Sequence, residues 1–272
     1  MKAARKRILA ALLAVVLLMG GLPGCGAGDD EVVTVRGYIT AAEAVAVAAE
    51  VAASSTYIDT SRWDESFVAA LLESHPGIFS DGYLVREQAA QITSLGHTWG
   101  RNISSLEGIQ YFTGLTALNV ASNNLTSLDL SSNTELRDIR VGNNNLTVLD
   151  VSSNTALQVL IVSGNQLTSL DVSGNSMLDW LIVNDNQLTA LDLSNNYKLS
   201  VLDVSGNQLT GIDVSNIPRL LFNVRDNYMS HPDDVIGWRE WGRSLKPEDS
   251  EFRNGLGGYS FIFWPQRPPT TN

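Results

Sequence analysis

Cysteine and histidine are scarce in this 272-residue sequence. Cysteine occurs once, at Cys25, and a single cysteine cannot form an internal disulfide, so the fold must be stable without one. The three histidines, His75, His97 and His231, lie far apart in the sequence and form no obvious metal-binding set. No G-x-S-x-G, P-loop or H-E-x-x-H motif is present. The sequence therefore predicts a protein that is not an enzyme and that needs neither metal nor cofactor.

Basic residues are also few, with 18 Lys and Arg against 29 Asp and Glu. Four of the 18 lie within the first seven residues, so the chain that follows residue 24 has a net charge of about −15. Nucleic-acid binding needs clustered Lys and Arg to neutralise phosphates. The sequence therefore argues against a nucleic-acid partner.

The first 24 residues have the pattern of a secretory signal peptide: a basic start, an apolar run at 8–19 and the segment GGLPGC. The apolar run is too short to span a bilayer comfortably. Residues 22–25, Leu-Pro-Gly-Cys, resemble a bacterial lipobox, although Pro23 departs from the usual small residue. Cys25 is then the lipid-attachment site and 25–31 a tether, giving an exported envelope protein bound to the membrane only through its lipid. Cys25-Gly26-Ala27 could instead serve an ordinary signal peptidase.

A 21-residue repeat organises the middle of the chain. Each unit reads L-x-x-[LI]-x-V-x-x-N-x-L-T-x-[LI]-D-[VL]-S. The units begin at Leu115, Leu136, Leu157, Leu178, Leu199 and Leu220. Each unit is expected to form one coil that places a short strand parallel to its neighbours, at a spacing of about 4.8 Å. In the last unit the pattern fits only if one residue is deleted.

The repeat resembles the leucine-rich repeats of bacterial surface proteins, including the internalin-like group, over roughly 61–265. The resemblance implies an α/β solenoid, an arc with a parallel concave sheet, closed by a helical N-terminal cap and a C-terminal cap. The expected divisions are an unassigned segment at 32–60, a cap of two helices at 61–93, repeats at 94–229, a C-terminal cap at 230–267 and a tail at 268–272. A helix is expected to begin near Pro232, and 261–266 read as a hairpin-like closing stretch. An EF-hand between the two N-terminal helices is excluded, because Asp81 would be its only ligand.

The second half of each coil is nearly identical among the units and predicts a wall. A conserved-in-place asparagine is expected to bond the backbone of neighbouring coils. The wall aspartates are expected to accept hydrogen bonds from the serine two residues on; a cation-binding stripe is the alternative. These aspartates are Asp129, Asp150, Asp171, Asp192 and Asp213.

The first half of each coil varies, and strand alternation places its variable residues outward on the sheet. An apolar patch around a tryptophan is expected in the middle of this face, bordered by charged and polar residues. The patch comprises Val159, Ile161, Trp180, Ile182 and Val201. Its borders are Asp138 and Arg140 on one side and Asp203, Asn223 and Arg225 on the other. Apolar clusters with an aromatic centre and a polar rim are typical of binding hot spots.

These observations favour a surface-tethered binding protein that recognises a protein or glycan on its concave sheet. The resemblance implies protein–protein interaction, but fold alone names no partner. A structural or self-associating envelope lipoprotein is the alternative, and coverage of the patch by the caps or by another copy would suit that role. A receptor for small solutes fits poorly, since a shallow solenoid encloses no pocket.

Overall fold

The computed structural model describes residues 56–80, 83–96, 98–218, 220–237 and 261–262. Its main feature is a sheet of eight short strands, all of which pair in parallel with their neighbours. They are β4 Ser94–Leu95, β5 Ala117–Asn119, β6 Asp138–Arg140, β7 Val159–Ile161, β8 Trp180–Ile182, β9 Val201–Asp203, β11 Leu221–Asn223 and β13 Phe261–Ile262. The predicted parallel solenoid with 21-residue coils is therefore confirmed.

The register of the last full coil confirms the predicted one-residue deletion. Val201 pairs with Leu221, one residue short of the repeat, whereas Trp180 pairs with Val201 at the full spacing. The chain thus keeps the core position in place, and Phe222 lies beside Leu202.

The core runs as a continuous column inside the sheet. The central residue of each strand from β5 to β9, and of β11, is at most 1% exposed. These residues are Leu118, Ile139, Leu160, Leu181, Leu202 and Phe222. Burying one such side chain contributes about 1.5–3 kcal/mol relative to leaving it exposed. Because each coil obtains this burial only from its neighbours, stability comes from stacking.

An asparagine column joins each coil to the one before it, as expected. The Nδ2 of Asn165 donates to the carbonyl oxygens of Val141 at 3.1 Å and Val162 at 2.9 Å, and its Oδ1 accepts from the backbone N–H of Leu146 at 3.0 Å. The equivalent residues Asn123, Asn144, Asn186, Asn207 and Asn227 make similar bonds. Each amide satisfies buried backbone groups that no strand partner reaches.

A second asparagine column was not predicted. Asn154, which is fully buried, donates from Nδ2 to the carbonyl oxygens of Leu130 at 3.3 Å and Asn133 at 2.8 Å. Its Oδ1 has no protein donor, and the same holds for Asn133, Asn175 and Asn196. The sequence carried the signal, since this asparagine also recurs every 21 residues, but the prediction considered only the first column.

The wall aspartates accept the predicted serine bonds. The backbone N–H of Ser152 donates to Oδ1 of Asp150 at 2.8 Å, and that of Ser173 donates to Asp171 at 2.8 Å. The other three wall aspartates repeat this bond at 2.9 Å. Hydrogen bonds from the serine hydroxyl and backbone lower the pKa of Asp150 and of Asp171. These donors offset the repulsion expected between stacked carboxylates.

The N-terminal cap contains one substantial helix, α1 Glu65–Ser74, whose start is capped by Asp64 accepting from the backbone N–H of Phe67 at 3.0 Å. Trp63 joins the cap to the first coil by stacking between Phe67 and Tyr111, with ring centroids 6.0 Å apart on each side. Trp63 is only 7% exposed, so this contact seals the open end of the core.

The two-helix cap expected at 61–93 is not confirmed in that form. The second helix, α2 Arg86–Ala89, is a single turn. An unpredicted antiparallel sheet of three strands in the order β1-β3-β2 completes the cap. Its strands are β1 Tyr57–Ile58, β2 Phe79–Ser80 and β3 Tyr83–Val85. The aromatic and branched residues of β3 suit a pleated surface better than a helix start. Asp81 lies outside the described residues.

The helix expected near Pro232 is a single 3₁₀ turn, Pro232–Asp234, and not an α-helix. It leads into β12 Val235–Ile236, which pairs in parallel with β10 Ile212–Asp213. Two β-branched residues followed by Gly237 at φ +90° do not favour continuing the turn as a helix. Of the hairpin-like stretch at 261–266, only 261–262 are described, and they extend the main sheet in parallel beside β11.

Candidate binding surface on the parallel sheet

The sheet face is defined here as the outward side chains of β5 to β9 and β11, together with the outward residue two positions after each strand. Each inward residue of these strands is flanked by two outward residues. The strand register then places outward residues side by side, about 4.8 Å apart. This geometry turns variation between coils into a surface pattern.

The apolar patch is formed as predicted, because Val159, Trp180 and Val201 are direct neighbours and Ile161 lies beside Ile182. Trp180 is 44% exposed, and the four aliphatic residues are half-buried. The described caps therefore leave the tryptophan open to solvent. A flat aromatic surface ringed by aliphatic side chains provides a large contact area at a low entropy cost.

The border beside β7 is an ion pair within one strand. The Arg140 guanidinium binds Asp138 through two nitrogens, Nε at 2.9 Å to Oδ1 and Nη2 at 3.0 Å to Oδ2. Hydrogen bonding to Asp138 raises the pKa of Arg140. The paired charges cancel locally, so this border presents polarity without net charge.

The border beyond β8 is a carboxylate held by neutral donors. Oδ1 of Asp203 accepts from the backbone N–H of Ser205 at 3.0 Å and from its hydroxyl at 2.6 Å, and Oδ2 accepts from Nδ2 of Asn223 at 3.1 Å. Asn223 is only 5% exposed, so it orients Asp203 and offers little surface of its own. Arg225 is exposed on the next strand's extension. Asp203 thus keeps its charge in a fixed orientation.

The prediction missed a second exposed tryptophan on this face. Trp99 is 61% exposed and follows β4. The Gly100 N–H donates to the carbonyl of Ala121 at 2.9 Å, as the Ser122 N–H donates to Gly142 at 2.8 Å one coil later. Trp99 therefore occupies the position equivalent to Ala121. The 94–100 segment lacks the leucine pattern and the 21-residue spacing, which concealed this equivalence.

The residues with chemically reactive side chains are not brought together. His75 lies in the cap and His231 at the other end, near Asp233, while His97 and Cys25 are outside the described residues. No group of three or more His, Cys, Asp or Glu side chains among the described residues is placed to hold a metal ion. Within the same part of the chain, no helix is long and apolar enough to cross a membrane.

Comparisons with known proteins agree with this architecture. One leucine-rich-repeat model matches residues 121–138 and 142–158, and another matches 198–220. No curated protein matches the chain. A solved leucine-rich-repeat protein of Leptospira interrogans is 18% identical with a TM-score of 0.50, over 61% of this chain and 41% of that one. Internalin F of Listeria monocytogenes is 18% identical with a TM-score of 0.50, over 66% of this chain and 68% of that one.

The functional domain of InlJ from Listeria monocytogenes, described as including a cysteine ladder, is 28% identical over 62% of this chain, with a TM-score of 0.30. The chain spans 51% of that domain and 41% of the Leptospira protein, so it corresponds to about half of either. The repeat matches and the parallel coils together show that the chain has the leucine-rich-repeat fold found in internalins.

Proposed function

We propose that this protein is an exported bacterial surface protein that binds a protein partner through the sheet face. The observation that carries the proposal is the apolar patch, with Trp180 44% exposed at its centre. Contiguous exposed apolar surface with a polar rim marks interaction sites, and tryptophan is enriched among binding hot spots. The leucine-rich-repeat fold commonly mediates protein–protein interactions, which supports the same conclusion.

A protein partner suits the patch better than a glycan. Sugar recognition needs hydrogen-bonding groups close around the aromatic ring, whereas the neighbours of Trp180 in the sheet are Val159, Val201 and Ile182. The nearest polar groups lie at the border, as expected for a protein interface with an apolar centre and polar rim. Asp203 and the Asp138–Arg140 pair supply that rim.

Export and anchoring rest on the sequence, because Cys25 lies outside the described residues. Two or more acyl chains on Cys25 would hold the protein stably at a membrane, where one chain would be marginal. Phase partitioning of the expressed protein with a cloud-point detergent tests this: the wild type should enter the detergent phase and Cys25→Ser should remain aqueous. Aqueous behaviour of both, with a mature N-terminus after residue 25, would show ordinary cleavage.

Site-specific photocrosslinking in intact cells tests the binding face. A benzoylphenylalanine at Asn184, beside the patch, should form an adduct with a partner protein, whereas the same group at Thr189 on the wall should not. The adduct should disappear in Trp180→Ala and persist in Tyr197→Ala, since Tyr197 is 54% exposed but lies outside the sheet. An adduct with twice the mass of this chain would support self-association. Absence of any Trp180-dependent adduct would contradict the proposal.

A further inference from the structure

The coils that carry the apolar patch are almost devoid of cations. Residues 141–218 contain seven aspartates, no glutamate, and a single basic residue, Lys198. Lys198 lies on a turn outside the sheet, with its amine 3.0 Å from the sulfur of Met177. Exposed charges act over about 8 Å at physiological ionic strength, so the potential at the patch is set by these coils. That potential is negative.

Three of the seven aspartates surround the strand that carries the tryptophan. Asp179 directly precedes β8 and Asp185 follows it; both are exposed. Asp203 lies on β9 beside Ile182. Asp179 accepts from the Ser200 hydroxyl and Asp185 from the Asn184 amide, which are neutral donors that leave each carboxylate charged. Trp180 is therefore an exposed aromatic ring within a frame of carboxylates.

The two borders of the patch differ in the charge they offer a ligand. Arg140 already neutralises Asp138 with a two-nitrogen contact. Asp203 instead receives three hydrogen bonds from uncharged groups and remains an oriented anion. A cation arriving at the patch would thus find its partner on the β9 side. The alkyl stem of a lysine or arginine can lie along Val201 and Ile182, while its head reaches Asp203 or the tryptophan ring.

We propose that the partner presents a basic polypeptide segment, a Lys or Arg next to an apolar side chain, with the apolar group on Trp180 and the cation against Asp203. This inference rests on the proposed function and specifies the chemistry of its ligand. Negative potential around the patch also favours fast association with a basic segment and disfavours acidic ones. The sheet face therefore selects by charge as well as by shape.

A phage-displayed library of random dodecapeptides, selected on the wild-type protein and depleted on Trp180→Ala, tests the inference. The retained peptides should contain Lys or Arg beside a large apolar residue. Fluorescence polarisation with the synthesised peptides should show about fivefold weaker binding to Asp203→Asn. Asp192→Asn removes the same charge from the wall and should leave the affinity unchanged. Binding to the wild type should weaken as sodium chloride rises from about 50 to about 300 mM.

The outcomes separate the two proposals. Trp180-dependent peptides that are neutral or acidic, or that bind Asp203→Asn as tightly as the wild type, would overturn the basic-segment inference and leave the binding face intact. Retained peptides that bind Trp180→Ala equally well would overturn the binding face itself. No enrichment over Trp180→Ala would refute the inference, as would Trp180-dependent retention of oligosaccharides on a glycan array.

Discussion

Replacing Trp180 by alanine should separate binding from stability. With 44% of the side chain exposed, and about 250 Å² of total tryptophan surface, about 110 Å² is available to a partner. At about 25 cal/mol per Å², covering this area contributes about 2.8 kcal/mol, or about a 100-fold change in Kd. This value lies within the range measured for interface hot spots.

The cost to folding should be smaller than this surface effect suggests. The buried part of Trp180 packs against neighbouring outward side chains, and solvent can fill the space left by alanine. We expect a loss of about 1–2 kcal/mol in the free energy of unfolding, above the near-zero loss that a wholly exposed residue would give. Leu181, the next residue, is fully buried inside the coil, and its replacement by alanine should cost about 3–5 kcal/mol.

Trp180→Ala and Leu181→Ala therefore form a matched pair on the two faces of one strand. Urea unfolding followed by circular dichroism gives the stability of each variant, and calorimetric titration with the partner or a selected peptide gives the affinity. The reasoning would be refuted if Trp180→Ala destabilised the protein as much as Leu181→Ala. It would also be refuted if Trp180→Ala kept full affinity while remaining folded.

Three further predictions concern the scaffold. A carboxyl with a lowered folded pKa stabilises the fold above its ordinary value of 3.8 and loses that contribution as pH falls through the folded pKa. The melting temperature should thus be nearly constant from about pH 7 to 5 and fall below about pH 4, less steeply when Asp150 and Asp171 are both replaced by Asn. Asn165→Ala, which leaves one buried N–H and two carbonyls unpaired, should destabilise urea unfolding by about 2–4 kcal/mol and more than Asn154→Ala, which leaves two carbonyls; equal losses would contradict this ranking. Trp63→Ala should cost about 3–5 kcal/mol and increase hydrogen exchange in the cap and first coils only, whereas uniform exchange along the solenoid would contradict the role given to its stacking.

The repeated part of the fold was predictable because one physical solution recurs in every coil. Leu181 and its equivalents need burial, Asn165 and its equivalents need buried backbone partners, and both recur every 21 residues. The caps occur once each, so no repetition indicated the sheet formed by β1, β2 and β3 or the strand at Val235–Ile236. Their short segments depend on tertiary pairing that local propensity does not specify.

The candidate site was predictable in outline for the same reason, since period-2 alternation placed Trp180 outward. The hydrogen-bonding state of its border was not, because it depends on side-chain partners across strands. Sequence alone gave Asp138 and Asp203 equal standing, yet one is neutralised by Arg140 and the other held by Ser205 and Asn223. Trp99 was missed because its coil departs from the 21-residue spacing.

The division of labour within a coil explains how this surface can be specialised without loss of the fold. The groups that join coils are the inward leucines, the asparagine amides and the strand backbones, and none of them uses an outward side chain of the sheet face. Outward residues can therefore differ from coil to coil, as Asp138, Val159, Trp180 and Val201 do along one row. Since the wall is acidic in every coil, an apolar row on the opposite surface is set within a negative field. A basic, apolar segment is the ligand that satisfies both features of the surface.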